Sequence, residues 1–175
     1  RDFTTPMKPD VTFVITCCGR PDELAQTLSS VRRCDIRAIA KFVIIEDWPL
    51  AETDGIVNAH LEGLNVVYLK NQKNMGQIAS IDRAYAEVET PYIFHCEEDW
   101  MFPTSLFIDE SRAMLEERSD VFAVMLRDRE ETPWLDEVTK PEVIAGQASR
   151  ISLPKKFYRW GSVSFNPGLR RMSDY

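Results

Sequence analysis

The sequence predicts an α/β fold: a mostly parallel, Rossmann-like sheet with helices on both faces, followed by an irregular C-terminal segment. Short, β-branched, apolar runs alternate with amphipathic helical stretches through residue 126. The runs carry almost no charge, which is typical of strands that are buried on both faces. Since parallel strands joined by helices all point the same way, their carboxyl ends meet at one edge of the sheet.

The first predicted unit is a strand over residues 11–18, a tight turn and a helix. The strand is mainly β-branched and apolar, and Gly19 ends it. Pro21 and the two acidic residues after it favour the first turn of a helix. Apolar residues at helical spacing then predict the buried face of that helix: Leu24, Leu28 and Val31.

The same alternation predicts four further strands and three further helices. Apolar runs bounded by Pro, Gly or polar turns indicate the strands, and apolar residues three and four apart indicate the helices. Ile78 belongs to the predicted buried face of the third helix, and Thr104 is a favourable N-cap for the last one. The predicted elements are a strand over residues 42–45, a helix over 51–61, a strand over 66–69, a helix from 77, a strand over 91–96, a helix over 105–118 and a strand over 121–126.

With 175 residues, 44% hydrophobic and 28% charged, the chain has the size and composition of one globular domain. We divide it into a lead-in (1–10), the α/β domain (11–126) and an irregular segment (127–175). A net charge of −7 argues against a nucleic-acid-binding surface, which needs a basic footprint. No apolar run is long enough to cross a membrane, and the cysteines form no CxxC pair. We expect a cytoplasmic protein, free or peripheral to a membrane, and a fragment of a longer chain.

Acidic residues directly follow two of the predicted strands. Glu46 and Asp47 end the second strand, and Glu97, Glu98 and Asp99 end the fourth. Adjacent carboxylates repel one another, so we expect a cation among them. Ligands of open α/β sheets bind outside the carboxyl ends of the strands, and Mg²⁺-type sites combine one or two carboxylates with substrate phosphates. The alternatives are a solvated acidic turn for the second cluster and a turn-forming aspartate in the first.

Taken in order, these motifs resemble those of the GT-A nucleotide-sugar glycosyltransferases, most closely the large family 2 group. The cluster after the fourth strand resembles the Asp-x-Asp motif of that family, with Glu97 and Asp99 in the acidic places. The resemblance extends over about residues 11 to 103. It also involves residues 16–20 at the end of the first strand, Glu46 and Asp47, residues 74–76 at the start of the third helix, and residues 82–84 within that helix.

The resemblance implies a domain that binds a UDP- or GDP-linked sugar and transfers the sugar to the hydroxyl of an unknown acceptor. Asp99 would be the main ligand of Mn²⁺ or Mg²⁺, with Glu97 helping directly or through water. The metal would neutralise the diphosphate leaving group. The C-terminal segment would lie on the acceptor side. The implied substrate-binding residues are Thr16, Arg20, Asp47 (to the base or ribose), Gly76, Asp82 and Glu98.

The chain departs from the family pattern at two places. Glu97 replaces the usual first aspartate, and bulky Trp48 and Pro49 follow Asp47 where the family has a small turn. His95 precedes the acidic cluster, but its place in the strand favours a hydrogen-bonded core histidine over a metal ligand. An inverting transferase needs a general base, and we choose none from the candidates Asp128, Glu130, Glu131 and Asp174.

Two other functions fit parts of the sequence. A nucleotidyltransferase of related α/β architecture would also use carboxylates and Mg²⁺. It is disfavoured because no glycine-rich phosphate loop with a lysine follows the first strand, where Gly19 stands alone. A non-catalytic domain that binds a nucleotide or a glycan is favoured by the two departures and by the missing base.

Overall fold

The structure, a computed structural model, describes residues 9–48, 50–126, 139–152, 165 and 167–175. Across these ranges, no helix combines the length and the apolar character needed to span a membrane. The elements in chain order are β1 (Val11–Cys17), α1 (Pro21–Arg32), β2 (Ile39–Glu46), α2 (Glu52–Leu61), β3 (Val66–Lys70), α3 (Gln77–Tyr85), β4 (Tyr92–Glu97), α4 (Ile108–Glu117), β5 (Ala123–Met125), β6 (Thr139–Ile144), β7 (Gln147–Ser152), β8 (Gly168–Arg171) and a 3₁₀ helix (Met172–Asp174).

One six-stranded sheet organises the fold, with the strand order β3-β2-β1-β4-β8-β5. β1 pairs parallel with both β2 and β4, and β3 pairs parallel with β2. β8 runs antiparallel between β4 and β5. The predicted α/β fold with a mostly parallel sheet is therefore confirmed. The strand order reverses between β1 and β4, and such a switch point is where open α/β sheets bind ligands.

Helices cover both faces of this sheet, as the sequence predicts. One face packs against α1, α2 and α4 and buries Phe13, Ile15 and Phe94. The opposite face packs against α3 and buries Val14 and Ile93. Neighbouring residues of a strand point to opposite faces. The central strands β1, β2 and β4 are largely apolar because each of them contributes to both cores.

The last helix begins later than predicted. The sequence favours Thr104 as its N-cap, whereas α4 starts at Ile108 after Phe107, which has a left-handed backbone (φ 48°). The Oγ of Ser105 accepts the N–H of Phe107 at 3.0 Å. Leu106 is buried in the core below. The prediction is wrong here because burial of a long-range core residue overrides a favourable local cap.

The predicted buried face of α3 is also partly wrong. Ile78 is 59% exposed, although its spacing from Ile81 and Tyr85 is helical. The buried side of the helix consists of Ser80, Ile81, Ala84 and Tyr85. Ile78 lies in the first turn of α3, next to the carboxyl ends of the strands. Its exposure adds an apolar group to that edge.

The C-terminal segment supplies structure that its irregular pattern does not predict. β6 and β7 form a hairpin whose turn residues, Ala145 (φ 51°) and Gly146 (φ 77°), both have positive φ, as a tight two-residue hairpin turn requires. β8 enters the main sheet between β4 and β5. Leu169 is fully buried there and packs in the same core as Phe94.

Two glycine substitutions test this arrangement. A Cβ at Gly168 would lie 2.3 Å from the carbonyl oxygen of Val124, so Gly168→Ala must push β8 away from β5. We expect it to lower the free energy of unfolding by about 2 kcal/mol. The matched change Gly55→Ala, in α2, meets nothing within 4 Å and should raise that free energy by about 0.5–1 kcal/mol. Urea unfolding of both variants checks the pair, and equal effects would contradict the placement of β8.

Candidate functional site

Both acidic clusters lie at the carboxyl edge of the sheet, on the strands that flank β1. Thr16, near the end of β1, is opposite Ile45 of β2 on one side and opposite Glu97 of β4 on the other. Cys17 is opposite Glu46. The carboxylates that the sequence places on two separate strands therefore meet at one rim, beside the switch point between β1 and β4.

Glu46 is a structural residue of this rim. It is 1% exposed, and its Oε1 accepts the backbone N–H groups of Gly19 at 3.0 Å and Trp48 at 2.8 Å. Its Oε2 accepts the hydroxyl of Thr53 at 3.0 Å. The side chain thus ties the β1–α1 loop to the end of β2 and to the start of α2. With its oxygens used in this way, Glu46 serves to shape the rim.

Asp47 holds the loop before α3. It is 5% exposed, and its Oδ1 accepts the side-chain amide of Asn71 at 2.6 Å and the N–H of Met75 at 2.7 Å. Its Oδ2 accepts the N–H of Gly76 at 2.9 Å. Burial alone would raise the pKa of Asp47, but these hydrogen bonds outweigh it and lower the pKa. The predicted contact with a base or ribose stays a prediction.

Asn71 connects Asp47 to α3, which the sequence analysis did not foresee. Its amide nitrogen donates to Asp47 and, at 2.8 Å, to Ser80. Its amide oxygen accepts Arg83 at 2.6 Å. A buried amide that uses both of its ends fixes the loop firmly. The only sequence signal was the position of this asparagine, directly after the third strand.

Gly76 begins α3 with a positive φ of 86°. A Cβ there would meet nothing within 4 Å, so the requirement for glycine is conformational. The next residue, Gln77, donates its side-chain amide to Oε1 of Glu97 at 2.6 Å. This contact, also missed from the sequence, links the start of α3 to the acidic cluster of β4.

Glu98 and Arg20 join the acidic cluster to the β1–α1 loop. Glu98 is 3% exposed and accepts the N–H of Cys18 at 3.0 Å and Nε of Arg20 at 2.8 Å. The Nη1 of Arg20 donates to Oδ2 of Asp99 at 2.9 Å. The hydrogen bond to Glu98 is the main cause that raises the pKa of Arg20. Arg20 is thus held at one end by a buried carboxylate and contacts an exposed one at the other.

Glu97 carries a poorly compensated charge. It is half-buried, and burial is the largest cause that raises its pKa. The negative charges of Asp99 and Glu98 raise it further, against the smaller effect of Arg20. A carboxyl group in this position gains from a nearby cation, because a cation stabilises its ionised form.

Glu97 and Asp99 fit a metal ion whose coordination a ligand completes. Among the described residues, no three His, Cys, Asp or Glu side chains converge on one point. Two carboxylates suffice for Mg²⁺-type ions, which take their other oxygens from phosphates and water. By itself the Arg20–Asp99 ion pair argues against a cation there, since it already neutralises Asp99. Both side chains are more than 40% exposed, however, and such pairs are weak enough to open.

Thr16 and His95 lie below the rim. Thr16 is 7% exposed, and its Oγ1 is 3.4 Å from Nε2 of His95. The Nδ1 of His95 is 2.7 Å from the hydroxyl of Tyr85. Burial, aided by the charge of Arg170, lowers the pKa of His95 to about 3, so the ring is neutral. The prediction of a hydrogen-bonded core histidine is confirmed.

The described contacts of Asp82 and Asp174 are with residues outside the acidic clusters. Asp82 is exposed on α3 and accepts the hydroxyl of Tyr175. Asp174 pairs with Nε of Arg171 at 2.7 Å, and Arg171 is opposite the first residue of β4, at the far end from Glu97. The substrate contact of Asp82 stays a prediction. Three further candidate bases lie outside the described residues: Asp128, Glu130 and Glu131.

A family comparison decides what kind of domain carries this rim. The model of glycosyl transferase family 2 matches residues 12–172. The chain belongs to this family. Its membership confirms the resemblance that the strand-end motifs indicate, and it extends the match beyond the acidic cluster to β8. Among curated proteins, no sequence matches the chain.

Solved glycosyltransferases share the fold of this family 2 chain. S. aureus TarS 1-349 has a TM-score of 0.65 at 13% identity, with 94% of this chain and 47% of that chain covered. TarS 1-349 in complex with UDP-GlcNAc has a TM-score of 0.56 at 14% identity, over 66% and 33% of the two chains. The mannosyltransferase PcManGT from Pyrobaculum calidifontis, in complex with GDP-Man and Mn²⁺, has a TM-score of 0.59 at 14% identity, over 75% and 39%. The chain therefore spans less than half the length of these proteins.

Proposed function

We propose that this family 2 domain is part of a metal-dependent glycosyltransferase that uses a nucleoside-diphosphate sugar. The main support for this proposal is the position of Glu97 and Asp99 at the end of β4, beside the switch point of the sheet. Solved neighbours hold GDP-Man with Mn²⁺ and UDP-GlcNAc on the same fold. The proposed donor is a UDP- or GDP-linked sugar, and the proposed acceptor is a hydroxyl group.

In this proposal Asp99 and Glu97 hold Mn²⁺ or Mg²⁺ against the diphosphate. The bound ion supplies positive charge that stabilises the departing nucleoside diphosphate. Gln77 orients Glu97 through its 2.6 Å hydrogen bond. Asp99 is the more accessible ligand because its side chain is 41% exposed, and it would hold the ion in place of its contact with Arg20.

Arg20 is the proposed cationic partner of the diphosphate. Its Nε donates to buried Glu98. Within the described part of the chain, its Nη1 donates only to the exposed Asp99. With Asp99 holding an ion, Nη1 would be free to donate to a phosphate oxygen, and guanidinium groups suit such oxygens well. Glu98 then acts by positioning Arg20. Thr16, near the end of β1, forms the bottom of the proposed site.

The loop before α3 forms the proposed nucleoside side of the site. Asp47, Asn71 and Gly76 fix its shape through the hydrogen bonds described above. A loop that is ordered before the ligand binds loses less conformational entropy on binding. Asp82 is the proposed sugar-side contact on α3, one and a half helical turns further along.

A thermal-unfolding panel tests the proposed function. The ligands are UDP, GDP, a set of UDP- and GDP-linked sugars, and ATP and CTP as triphosphates, each with Mn²⁺ and with a chelator. We expect at least one nucleoside diphosphate and its sugar to stabilise the protein by about 2.7 kcal/mol at a concentration a hundred times the Kd, in Mn²⁺ only. Stabilisation by triphosphates alone, or by no nucleotide, would contradict the proposal.

A further inference from the structure

A large aromatic side chain stands exposed at the rim. Trp48 is 52% exposed and directly follows Asp47 at the end of β2. Tryptophan side chains are highly buried on average, so one that is exposed at a candidate ligand site is a candidate binding surface. Trp48 is also a place where the chain departs from the small turn of its family.

The backbone N–H of Trp48 is held before any ligand binds. Its N–H donates to Oε1 of buried Glu46 at 2.8 Å, and the same oxygen accepts the N–H of Gly19 at 3.0 Å. The indole lies along the β1–α1 loop: a Cβ on Gly19 would be 3.5 Å from Cβ of Trp48 and 3.6 Å from its Cγ and Cδ1. Gly19, in the loop that carries Arg20, therefore lies beside the Cβ, Cγ and Cδ1 atoms of Trp48.

Asp47 cannot offer the same accessibility. It is 5% exposed, and both of its oxygens accept hydrogen bonds from the loop before α3. Two exposed apolar groups adjoin it: Trp48 follows it in the chain, and Met75, 53% exposed, donates its N–H to it. These exposed apolar side chains suit contact with the flat face of a ring more than hydrogen bonds to its polar edge.

We propose that Trp48 is the stacking platform for the nucleobase of the donor, an inference that rests on the proposed function. Stacking on an aromatic ring depends little on which base is present, because every base has a π-face. Recognition by stacking therefore predicts that UDP and GDP bind with affinities within about tenfold of each other. The diphosphate, held by Arg20 and the metal, contributes affinity that does not depend on Trp48.

The test is calorimetric titration of the protein in Mn²⁺ with UDP, GDP and pyrophosphate. Trp48→Leu keeps apolar bulk but removes the aromatic face, and Trp48→Phe keeps a smaller aromatic face. We expect Trp48→Leu to lower the affinity for UDP and GDP about 5- to 100-fold. Its affinity for pyrophosphate should stay within about twofold of that of the unmodified protein. Trp48→Phe should recover most of the lost affinity. Circular dichroism melting of each variant separates binding from folding.

Several outcomes would overturn the inference. If Trp48→Leu binds UDP as tightly as the unmodified protein, the indole does not contact the base. If Trp48→Leu lowers the affinity for pyrophosphate as much as that for UDP, the side chain acts by shaping the loop. An equal loss in Trp48→Phe and Trp48→Leu would rule out stacking. If the unmodified protein binds neither UDP nor GDP, the proposed function itself fails, and that result precedes any variant.

Discussion

Asp47→Asn is expected to lower the free energy of unfolding by about 3 kcal/mol or more. The carboxylate is buried and accepts three hydrogen bonds, from Asn71, Met75 and Gly76. An amide has one oxygen where the carboxylate has two, so at least one of the backbone N–H groups would face another donor. Losing charge-assisted hydrogen bonds at a buried site while leaving donors unpaired is among the costliest of single changes.

Urea unfolding at pH 7 measures this loss, and Asp54→Asn is the matched control. Asp54 pairs with Lys70 at 2.7 Å, but both side chains are more than 40% exposed. The control should unfold at nearly the same urea concentration as the unmodified protein, because exposed ion pairs contribute little. Similar losses in the two variants would mean that Asp47 does not hold the loop.

The effect of Asp47 should also depend on pH. Its pKa is lowered in the folded protein, since its hydrogen bonds outweigh the opposing effect of burial. A carboxyl group whose folded pKa is depressed stabilises the protein fully above its unfolded value of about 3.9. That contribution is lost as the pH falls through the lower folded value. The difference between Asp47→Asn and the unmodified protein should be constant from about pH 5 to 8 and shrink below about pH 4. A difference that grows on acidification would contradict the account.

The sheet and its rim follow from local sequence patterns and one rule of topology. The apolar runs that become β1, β2 and β4 lack charge because they are buried on both faces. Glu46–Asp47 and Glu97–Asp99 follow two of these runs, and parallel strands joined by helices must end at the same edge. The meeting of the two acidic clusters was predictable for this reason.

The division of work between adjacent carboxylates was not predictable. Glu46 and Asp47 are neighbours in the chain, but neighbouring residues at a strand end point to opposite faces. Glu46 accepts the N–H of Gly19 in the β1–α1 loop, and Asp47 accepts those of Met75 and Gly76 in the loop before α3. The donors that Glu46 and Asp47 meet come largely from chain segments tens of residues away. The local sequence pattern does not predict them.

β8 was missed for a related reason. Its four residues include two arginines, so its pattern indicates a solvated segment. Arg170 is 1% exposed instead, with its guanidinium 5.7 Å from the ring centre of Phe165 and 6.0 Å from that of Phe122. The rings of Phe122, from a distant part of the chain, and of nearby Phe165 make this burial tolerable. Those neighbours, too, become visible only in the folded protein.

Asp99→Ala is expected to lower the affinity for UDP or GDP about 10- to 100-fold in Mn²⁺. Asp99 is the proposed main metal ligand, and without it the ion keeps only Glu97 from this cluster. The change leaves the fold intact because Asp99 is exposed and, among the described residues, forms an ion pair only with Arg20. Asp120→Ala is the control: Asp120 pairs with Arg118 at 2.8 Å, is exposed, and precedes β5 at the other end of the sheet. It removes the same charge and should leave nucleotide affinity unchanged.

The most direct measurement is a calorimetric titration of UDP and GDP into the unmodified protein and Asp99→Ala, each in Mn²⁺ and in chelator. If the rim carboxylates hold a cation against the diphosphate, Mn²⁺ tightens binding to the unmodified protein at least about tenfold and has no such effect on Asp99→Ala. Equal affinities of the unmodified protein with and without Mn²⁺, or a full Mn²⁺ effect in Asp99→Ala, would contradict this claim.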